Sequence, residues 1–181
     1  MQRWILPLLL ASLCSAGGCA DLGFLPVAAT TTLDKPTHVE AYRTGKLDDH
    51  PGYGGKLDGF AVFNTGAIPP DVAQTLAATI ADPTSYHDAV RRDEFVPSVG
   101  YRFYRRVGGP GQYSVDVLID FDSDEVLLVQ RDPKLRENFR RVLETDHTRQ
   151  RLLEISRQAF PFDLTVQSMT EYRAPATQPD E

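Results

Sequence analysis

The sequence predicts an α+β domain of two layers, in which helices pack on one face of a mainly antiparallel sheet. Three strand-like runs, at 99–107, 115–121 and 126–129, follow one another with only short turns between them, and strands joined in this way pair antiparallel. Each predicted helix carries a single apolar stripe, so the helices are expected to share one sheet face. The predicted element order is β-β-α-β-β-β-α-α, and the opposite sheet face is expected to meet solvent or a partner.

The first half of the domain is predicted to place one helix after two short strands. Val39–Arg43 and Phe60–Phe63 have the pattern of strands, and the Gly- and Asp-rich segment 45–59 between them is predicted to be a loop. A helix is predicted over 69–82, because prolines are tolerated in its first turn. Its apolar residues recur at helical spacing, at Val72, Ala73, Leu76, Ala77 and Ile80. Residues 84–94 are predicted to be a short helical turn or a loop.

The hairpin of 99–107 and 115–121 has the clearest pattern in the chain. If residues 108–112 form its loop, Val107 opposes Tyr113 and directly paired residues share parity. The odd-numbered face is then apolar and holds Val99, Tyr101, Phe103, Val115, Val117, Ile119 and Phe121. The even-numbered face carries matched charges and holds Arg102, Tyr104, Arg106, Ser114, Asp116 and Asp120. This agreement between loop length and pattern predicts the hairpin.

The run 126–129 is apolar on both faces, so its register stays open. Either Val126 and Leu128 or Leu127 and Val129 face the helices. After it, Asp132 and Pro133 are typical of a helix start, and a helix is predicted from there to a break near residues 145–147. A second helix is predicted to end at Pro161, and 164–169 is predicted to extend along an edge. The inward residues of the two helices are Leu135, Phe139, Val142, Leu143, Leu152, Leu153, Ile155, Ala159 and Phe160.

Residues 1–18 have the pattern of an export signal. Arg3 supplies its positive charge, and the apolar run Trp4–Leu13 is too short to span a bilayer. The small residues before Cys19 resemble the lipobox of bacterial lipoproteins, although Ala16 stands where such signals usually have Leu. The resemblance implies that the signal is cut before Cys19 and that this cysteine carries the lipid, palmitate included.

An ordinary secretory signal, cut after Ala16 or Ala20, is the alternative. With a lipid on Cys19, the protein is predicted to be anchored to a membrane on the periplasmic side of the cell envelope. The Ala that follows Cys19 favours the outer over the inner membrane. Cleavage leaves no disulfide, because the only other cysteine, Cys14, lies inside the signal.

The remaining segments complete the predicted domain organisation. Residues 19–37 are low in charge and are predicted to be a tether from the lipid to the domain. The domain is predicted to span 38–169, and residues 170–181 are predicted to be a disordered tail. The composition is that of a single globular domain, with 41% hydrophobic and 24% charged residues. The formal net charge of −6 disfavours nucleic acid, because Lys and Arg must replace phosphate counterions.

Carboxylates crowd the turn after the central hairpin. Calcium binds where several oxygens converge, and Asp120, Asp122 and Asp124 are a candidate set of ligands. The spacing is not that of an EF-hand, because Glu125 and Arg131 occupy the positions that need Gly and Glu. The other interpretation is a solvated hairpin tip. In that case Asp116 and Asp120 are matched by the arginines at 102, 105 and 106.

No catalytic residue is assigned. The four histidines lack metal-ligand spacing, and neither a GxSxG motif nor a phosphate-binding Gly-rich loop is present. The sequence favours a non-enzymatic binding or structural module that meets an envelope protein. The alternative is a metal-dependent or carboxylate-based hydrolase at the acidic hairpin. An enzyme is expected to have a concave pocket around Asp120 and Asp122, whereas a binding module is expected to have a flat charged sheet face.

Three segments resemble a family of small, uncharacterised bacterial exported proteins and lipoproteins. They are Val39–Arg43, Glu94–Arg102 and Val115–Ser123. The family patterns are Val-Glu-x-Tyr-Arg, Cys-Phe-x-Pro-x-x-Gly-x-Arg and Val-Asp-x-x-Ile-Cys-Phe-x-Cys. The resemblance covers roughly 39–160 and implies only the fold and an exported location. The family's cysteines are replaced here, by Glu94, Asp120 and Ser123, so no thiol role is carried over.

Overall fold

A computed structural model describes residues 25–46, 55–88, 94–106, 112–131, 139–145 and 148–170. The strands are β1 (His38–Gly45), β2 (Gly55–Leu57), β3 (Phe60–Gly66), β4 (His87–Asp88), β5 (Val99–Arg106), β6 (Gln112–Asp120), β7 (Glu125–Arg131) and β8 (Phe139–Glu144). The helices are α1 (Val27–Asp34), α2 (Pro70–Ala81), α3 (Arg149–Ala159) and α4 (Leu164–Ser168), with one 3-10 turn at Pro83–Ser85. Residues 1–24, with the predicted signal and Cys19, lie outside the described residues, as do 171–181 of the predicted tail.

The eight strands form one antiparallel sheet in the order β2-β3-β1-β5-β6-β7-β8-β4. The sheet curls into a half-barrel with the helices packed alongside, so the predicted α+β class is confirmed. Among the described residues, no helix is both long and apolar enough to cross a bilayer.

The central hairpin confirms the predicted faces but not the predicted pairing. Arg105 opposes Tyr113, where the sequence placed Val107, so the register differs by two residues. Because side chains alternate with a period of two, a shift of two leaves every residue on its predicted face. The odd-numbered side chains from Val99 to Phe103 and from Val115 to Ile119 accordingly lie in the core beneath the helices, here called the helix-side core.

The second turn settles the register that the sequence left open. Ile119 pairs with Val126, and Val117 pairs with Leu128. Val126 and Leu128 therefore join the helix-side core. Leu127 and Val129 lie on the opposite face.

The predicted tether is wrong from Leu25 onward, because this segment belongs to the domain. It forms α1, which packs against α2, β5 and β6, and its residues Leu25, Ala29 and Leu33 are at most 4% exposed. They recur every four residues and so share one helix face. The threonines that suggested a tether bond back to the preceding turn, as Thr32 Oγ1 does to the carbonyl oxygen of Ala28 at 2.8 Å.

The helix predicted from Asp132 to a break near residues 145–147 is wrong over 139–144, which form the strand β8. β7 is buried on both faces, and its backbone groups need a partner on each side. β8 provides one, with Leu143 opposite Val126 and Val142 opposite Leu127. This tertiary pairing overrides the local helix signal at Asp132 and Pro133, which lie outside the described residues.

The predicted loop 45–59 contains a strand that the sequence reading missed. β2 and β3 form a hairpin around Asp58 and Gly59, whose φ angles are 49° and 97°. Positive φ at both central residues is the geometry of a type I′ turn, for which Asp-Gly is a strong sequence signal. Residues 47–54 lie outside the described residues.

The sheet face opposite the helices, predicted to meet solvent or a partner, is buried over part of its area, whereas Arg102, Tyr104 and Arg106 on it keep contact with solvent. Its side chains form a second cluster, here called the inner core, of Leu57, Phe95, Leu118, Leu127 and Val129. Gly100 makes room for it, because a Cβ there would lie 2.3 Å from Cδ2 of Leu57. The curl of the sheet brings β2 over this face, which local patterns do not encode.

The segment 164–169, predicted to be extended, begins with the helix α4. The Asp163 carboxylate accepts hydrogen bonds from the backbone N–H groups of Thr165 and Val166 at 3.0 and 3.1 Å, which caps the helix. Its other oxygen accepts one from Nε of Arg43 at 3.0 Å. The chain end of the domain is thereby fixed to β1.

Candidate functional site

Asp120 forms the turn after β6 instead of facing solvent. Asp120 is only 2% exposed. One carboxylate oxygen accepts hydrogen bonds from the N–H groups of Asp122 and Ser123 at 2.9 and 3.3 Å, and the other accepts one from the N–H of Val96 at 2.8 Å. Its oxygens therefore satisfy backbone donors that the turn leaves open.

Asp124 is held at the far end of the same turn. It adopts a left-handed conformation with φ of 57°, which few residues other than Gly, Asn and Asp tolerate. Its carboxylate accepts a hydrogen bond from Nε of Arg149. Its carbonyl oxygen accepts hydrogen bonds from the N–H and Oγ1 of Thr145, at 2.8 and 3.1 Å.

These contacts favour the turn-forming interpretation of the acidic hairpin. Within the described part of the chain, no group of three or more His, Cys, Asp or Glu side chains is arranged to hold a metal ion. Asp120, Asp122 and Asp124 are described residues, so the structure does not support the predicted calcium site. The hydrolase alternative requires a concave pocket at Asp120 and Asp122. Neither residue lines the large cleft beside β1.

Asp116 anchors an ionic network on the inner face of the sheet, here called the Asp116 network. The residue is fully buried and accepts two hydrogen bonds from Arg102, at 2.6 and 2.8 Å, and one from Arg131 at 2.9 Å. Arg131 also bonds Asp58 at 3.0 Å, and Arg140 completes the chain on Asp58. The predicted pairing of Asp116 with Arg102 is confirmed. Asp120 uses backbone donors in place of the predicted arginines.

A cleft of about 1320 Å³ opens beside β1, between α1 and α2, and is here called the β1 cleft. Its floor is His38–Tyr42 of β1 and the segment Thr65–Ile68. The walls carry mainly small or apolar side chains, which are Val27, Thr30 and Thr31 on α1 and Ala73, Ala77, Ala78 and Ala81 on α2. Concave sites of this kind, apolar with a few polar groups, are typical of ligand binding.

The cleft exists because two strand ladders end at different points. β1 pairs with β5 from His38 onward but with β3 only from Ala41, which opposes Gly66. After Gly66 the chain leaves the sheet for α2. A Cβ at Gly66 would lie 2.4 Å from the carbonyl oxygen of Ala159, so the missing side chain lets α3 approach here. In the described sheet, the first three residues of β1 therefore border the cleft along one edge.

The polar groups at the edge of the cleft converge on Glu40, whose side chain lies on the sheet face opposite the helices. Its Oε2 accepts hydrogen bonds from the hydroxyl of Tyr42 and from that of Tyr104, the latter at 2.7 Å. Its Oε1 lies 3.5 Å from Nε2 of His38, and the His38 ring stacks on Tyr104 with a centroid distance of 5.9 Å. A half-buried carboxylate is thus held among three aromatic rings.

Hydrogen bonding keeps Glu40 ionised. Partial burial is the largest single influence and opposes ionisation, but the two tyrosine hydroxyls and His38 together outweigh it, so the pKa of Glu40 is lowered. The same contacts act in the opposite sense on Tyr42, whose pKa is raised by burial and by its bond to the carboxylate. Glu40 is therefore an anion and Tyr42 a neutral hydrogen-bond donor at neutral pH.

Comparison with known proteins gives no relative from which a role can be taken. No protein-family model matches the chain, and no curated protein or solved structure matches it significantly.

Sequence reasoning missed the β1 cleft and Glu40. The four-residue spacing of Leu25, Ala29 and Leu33 was the available signal for α1, the helix that forms one wall. Glu40 was placed correctly on a strand, but nothing local distinguishes it from any other strand carboxylate. Its importance depends on Tyr104, 64 residues away.

Proposed function

We propose that this protein is an exported, lipid-anchored binding protein of the bacterial envelope, and that the β1 cleft is its ligand-binding site. The observation that carries the proposal is the cleft itself, about 1320 Å³ in volume with mainly apolar walls and one polar cluster. Small-molecule pockets are commonly about 300–1,000 Å³, so the cleft has room for a whole ligand.

In contrast to the cleft, the acidic hairpin has contacts that indicate a structural role. Asp120 and Asp124 are occupied by contacts within the fold, and the Asp116 network links β5, β6 and β7. In the cleft, Glu40 bonds Tyr42 and Tyr104 through Oε2, and its Oε1 lies 3.5 Å from Nε2 of His38. Binding therefore fits the cleft better than hydrolysis fits the hairpin.

The proposed anchor would keep the cleft near the membrane. Leu25 lies at the cleft wall, and it is six residues after Cys19 in the sequence. Six residues span at most roughly 20 Å. The cleft would then bind its ligand close to the membrane surface, on the periplasmic side. Because Ala20 follows Cys19, this membrane is expected to be the outer membrane.

Metabolic labelling with a palmitate analogue tests the anchor. The wild-type protein is expected to take up the label, because its signal resembles a lipobox, and Cys19→Ser is expected to lose it. Cys14→Ser, inside the signal, is the matched control and should remain labelled. Retention of label by Cys19→Ser, or a mature chain that begins after Ala16 or Ala20, would contradict the lipoprotein assignment.

Filling the cleft tests the binding site. Ala78 is exposed on the α2 wall, so Ala78→Phe should occupy cleft space without disturbing the core. We expect the neutral fluorescent dye N-phenylnaphthylamine to bind the wild-type protein and to bind Ala78→Phe at least about tenfold more weakly, a loss of about 1.4 kcal/mol. Gln158→Phe, on an exposed position of α3, should bind like the wild type. If Ala78→Phe and Gln158→Phe bind the dye equally well, the dye binds outside the β1 cleft.

A further inference from the structure

The charges that line the β1 cleft are few, and they differ in how firmly they are held. Asp34 and Lys35 lie 3.9 Å apart with side chains 65% and 80% exposed, so they neutralise each other loosely in solvent. The Glu40 side chain is 38% exposed and is fixed by two tyrosine hydroxyls. Glu40 is therefore the charged group of the cleft with a defined position.

Glu40 retains capacity to bind a cation. Both tyrosine hydroxyls bond Oε2, whereas Oε1 is 3.5 Å from His38 Nε2, which is longer than a normal N–H···O hydrogen bond. A carboxylate oxygen can accept more than one hydrogen bond. Oε1 can therefore receive a donor from a ligand without loss of the tyrosine contacts.

The neighbouring arginine does not neutralise Glu40. Arg102 opposes Glu40 in the sheet, but its Nε and Nη2 both bond Asp116, at 2.6 and 2.8 Å. Among the described residues, only His38 places a basic nitrogen within 4 Å of the Glu40 carboxylate, and the His38 side chain is 63% exposed. The aromatic rings of Tyr42 and Tyr104 add electron-rich surfaces that attract a cation.

Glu40 belongs to the sheet face opposite the helices and borders the cleft at the open edge of β1. The geometry points to an amphiphilic ligand with a positively charged amine head group against Glu40 at this edge and a hydrocarbon chain inside the cleft, along the alanine-rich wall of α2. This inference rests on the proposed function, because it names the ligand class of the same cleft. An amine donates hydrogen bonds to Oε1, and its charge complements the carboxylate. The apolar walls bury the chain, with a gain proportional to the area removed from water.

Competition among three probes with the same chain length tests this. Decylamine, decanol and decanoate, each below its critical micelle concentration, are used to displace N-phenylnaphthylamine from the wild-type protein at neutral pH. We expect decylamine to compete about tenfold better than decanol, and decanoate to compete least, because its charge repels that of Glu40. This comparison needs no variant, so it does not depend on the folding of a mutant.

Glu40→Gln isolates the carboxylate. Gln can still accept the tyrosine hydrogen bonds but carries no charge, so decylamine should weaken about tenfold to the level of decanol, and decanol should be unchanged. Glu154→Gln, an exposed carboxylate on α3, should behave as the wild type. Circular dichroism confirms that each variant is folded.

The outcomes separate the two proposals. If Ala78→Phe blocks the dye but the wild type shows no preference for decylamine, or Glu40→Gln weakens all three probes equally, the amine inference is wrong and the binding site stands. If the dye does not bind the wild type saturably, or binds Ala78→Phe equally well, both proposals fail.

Discussion

Arg102→Met is expected to lower the free energy of unfolding by about 3 kcal/mol. Asp116 is fully buried, and Arg102 donates to both of its oxygens. Methionine fills much of the same space but provides no donor. Arg131 remains as a single partner, at 2.9 Å, so the carboxylate would keep its charge in a buried site with most of its compensation lost. Urea denaturation followed by circular dichroism measures the change.

Arg140→Met is the matched control from the same network. Its partner Asp58 keeps Arg131, and the Arg140 side chain is 47% exposed. A partly solvated ion pair contributes little, so the loss is expected to stay below about 1 kcal/mol. The double variant Arg102→Met with Asp116→Leu should be more stable than Arg102→Met alone, because it no longer buries an uncompensated charge.

Equal losses in Arg102→Met and Arg140→Met would show that burial of Asp116 does not govern the network. A double variant less stable than Arg102→Met alone would show that the Asp116 carboxylate stabilises the fold through Arg131 without Arg102. Either result would contradict the conclusion that the hydrogen bonds of Arg102 compensate the buried charge of Asp116.

The sequence predicts those parts of the fold in which local pattern and tertiary packing agree. β5 and β6 alternate with a period of two, and their paired residues share parity whether Tyr113 opposes Val107, as predicted, or Arg105, as observed. α2 has an apolar stripe and a proline start, and its predicted residues Val72, Leu76 and Ile80 are buried. Such features are specified several times over by neighbouring residues.

The elements that the sequence misassigns depend on distant partners. β8 forms because β7 needs a paired strand on its open side. The sequence instead predicted a helix there, because Asp132 and Pro133 are a strong local signal for a helix start. β2 depends on the curl that carries Asp58 across the inner face to Arg131 and Arg140. Only its Asp-Gly turn was visible locally.

The candidate site is the least predictable feature, because no single segment contains it. α1, α2 and β1 supply its walls and floor, and Tyr104 of β5 completes the polar cluster. The acidic hairpin drew attention because its carboxylates are adjacent in sequence. In the structure most of that charge serves the turn, as the bonds of Asp120 to three backbone N–H groups show.

Arg149→Met is expected to cost about 3–4 kcal/mol of stability, comparable to the loss at Arg102. The Arg149 side chain is 9% exposed and connects three parts of the chain. It bonds the Asp124 carboxylate, the carbonyl oxygen of Phe121 at 2.9 Å and that of Thr170. Its guanidinium carbon also lies 5.6 Å from the centre of the Phe121 ring, within range of a cation–π contact. Methionine would leave all three acceptors without this donor.

Arg151→Met on the same helix is the control, because Arg151 is exposed and its replacement should change stability by no more than about 0.5 kcal/mol. Asp124→Asn tests the pairing itself. If the ion pair carries the effect, the double variant Asp124→Asn with Arg149→Met loses less than the sum of the two single losses. Additive losses would instead assign the cost to the carbonyl oxygens of Phe121 and Thr170, and Arg149 would then connect Thr170 to the β6–β7 turn independently of Asp124.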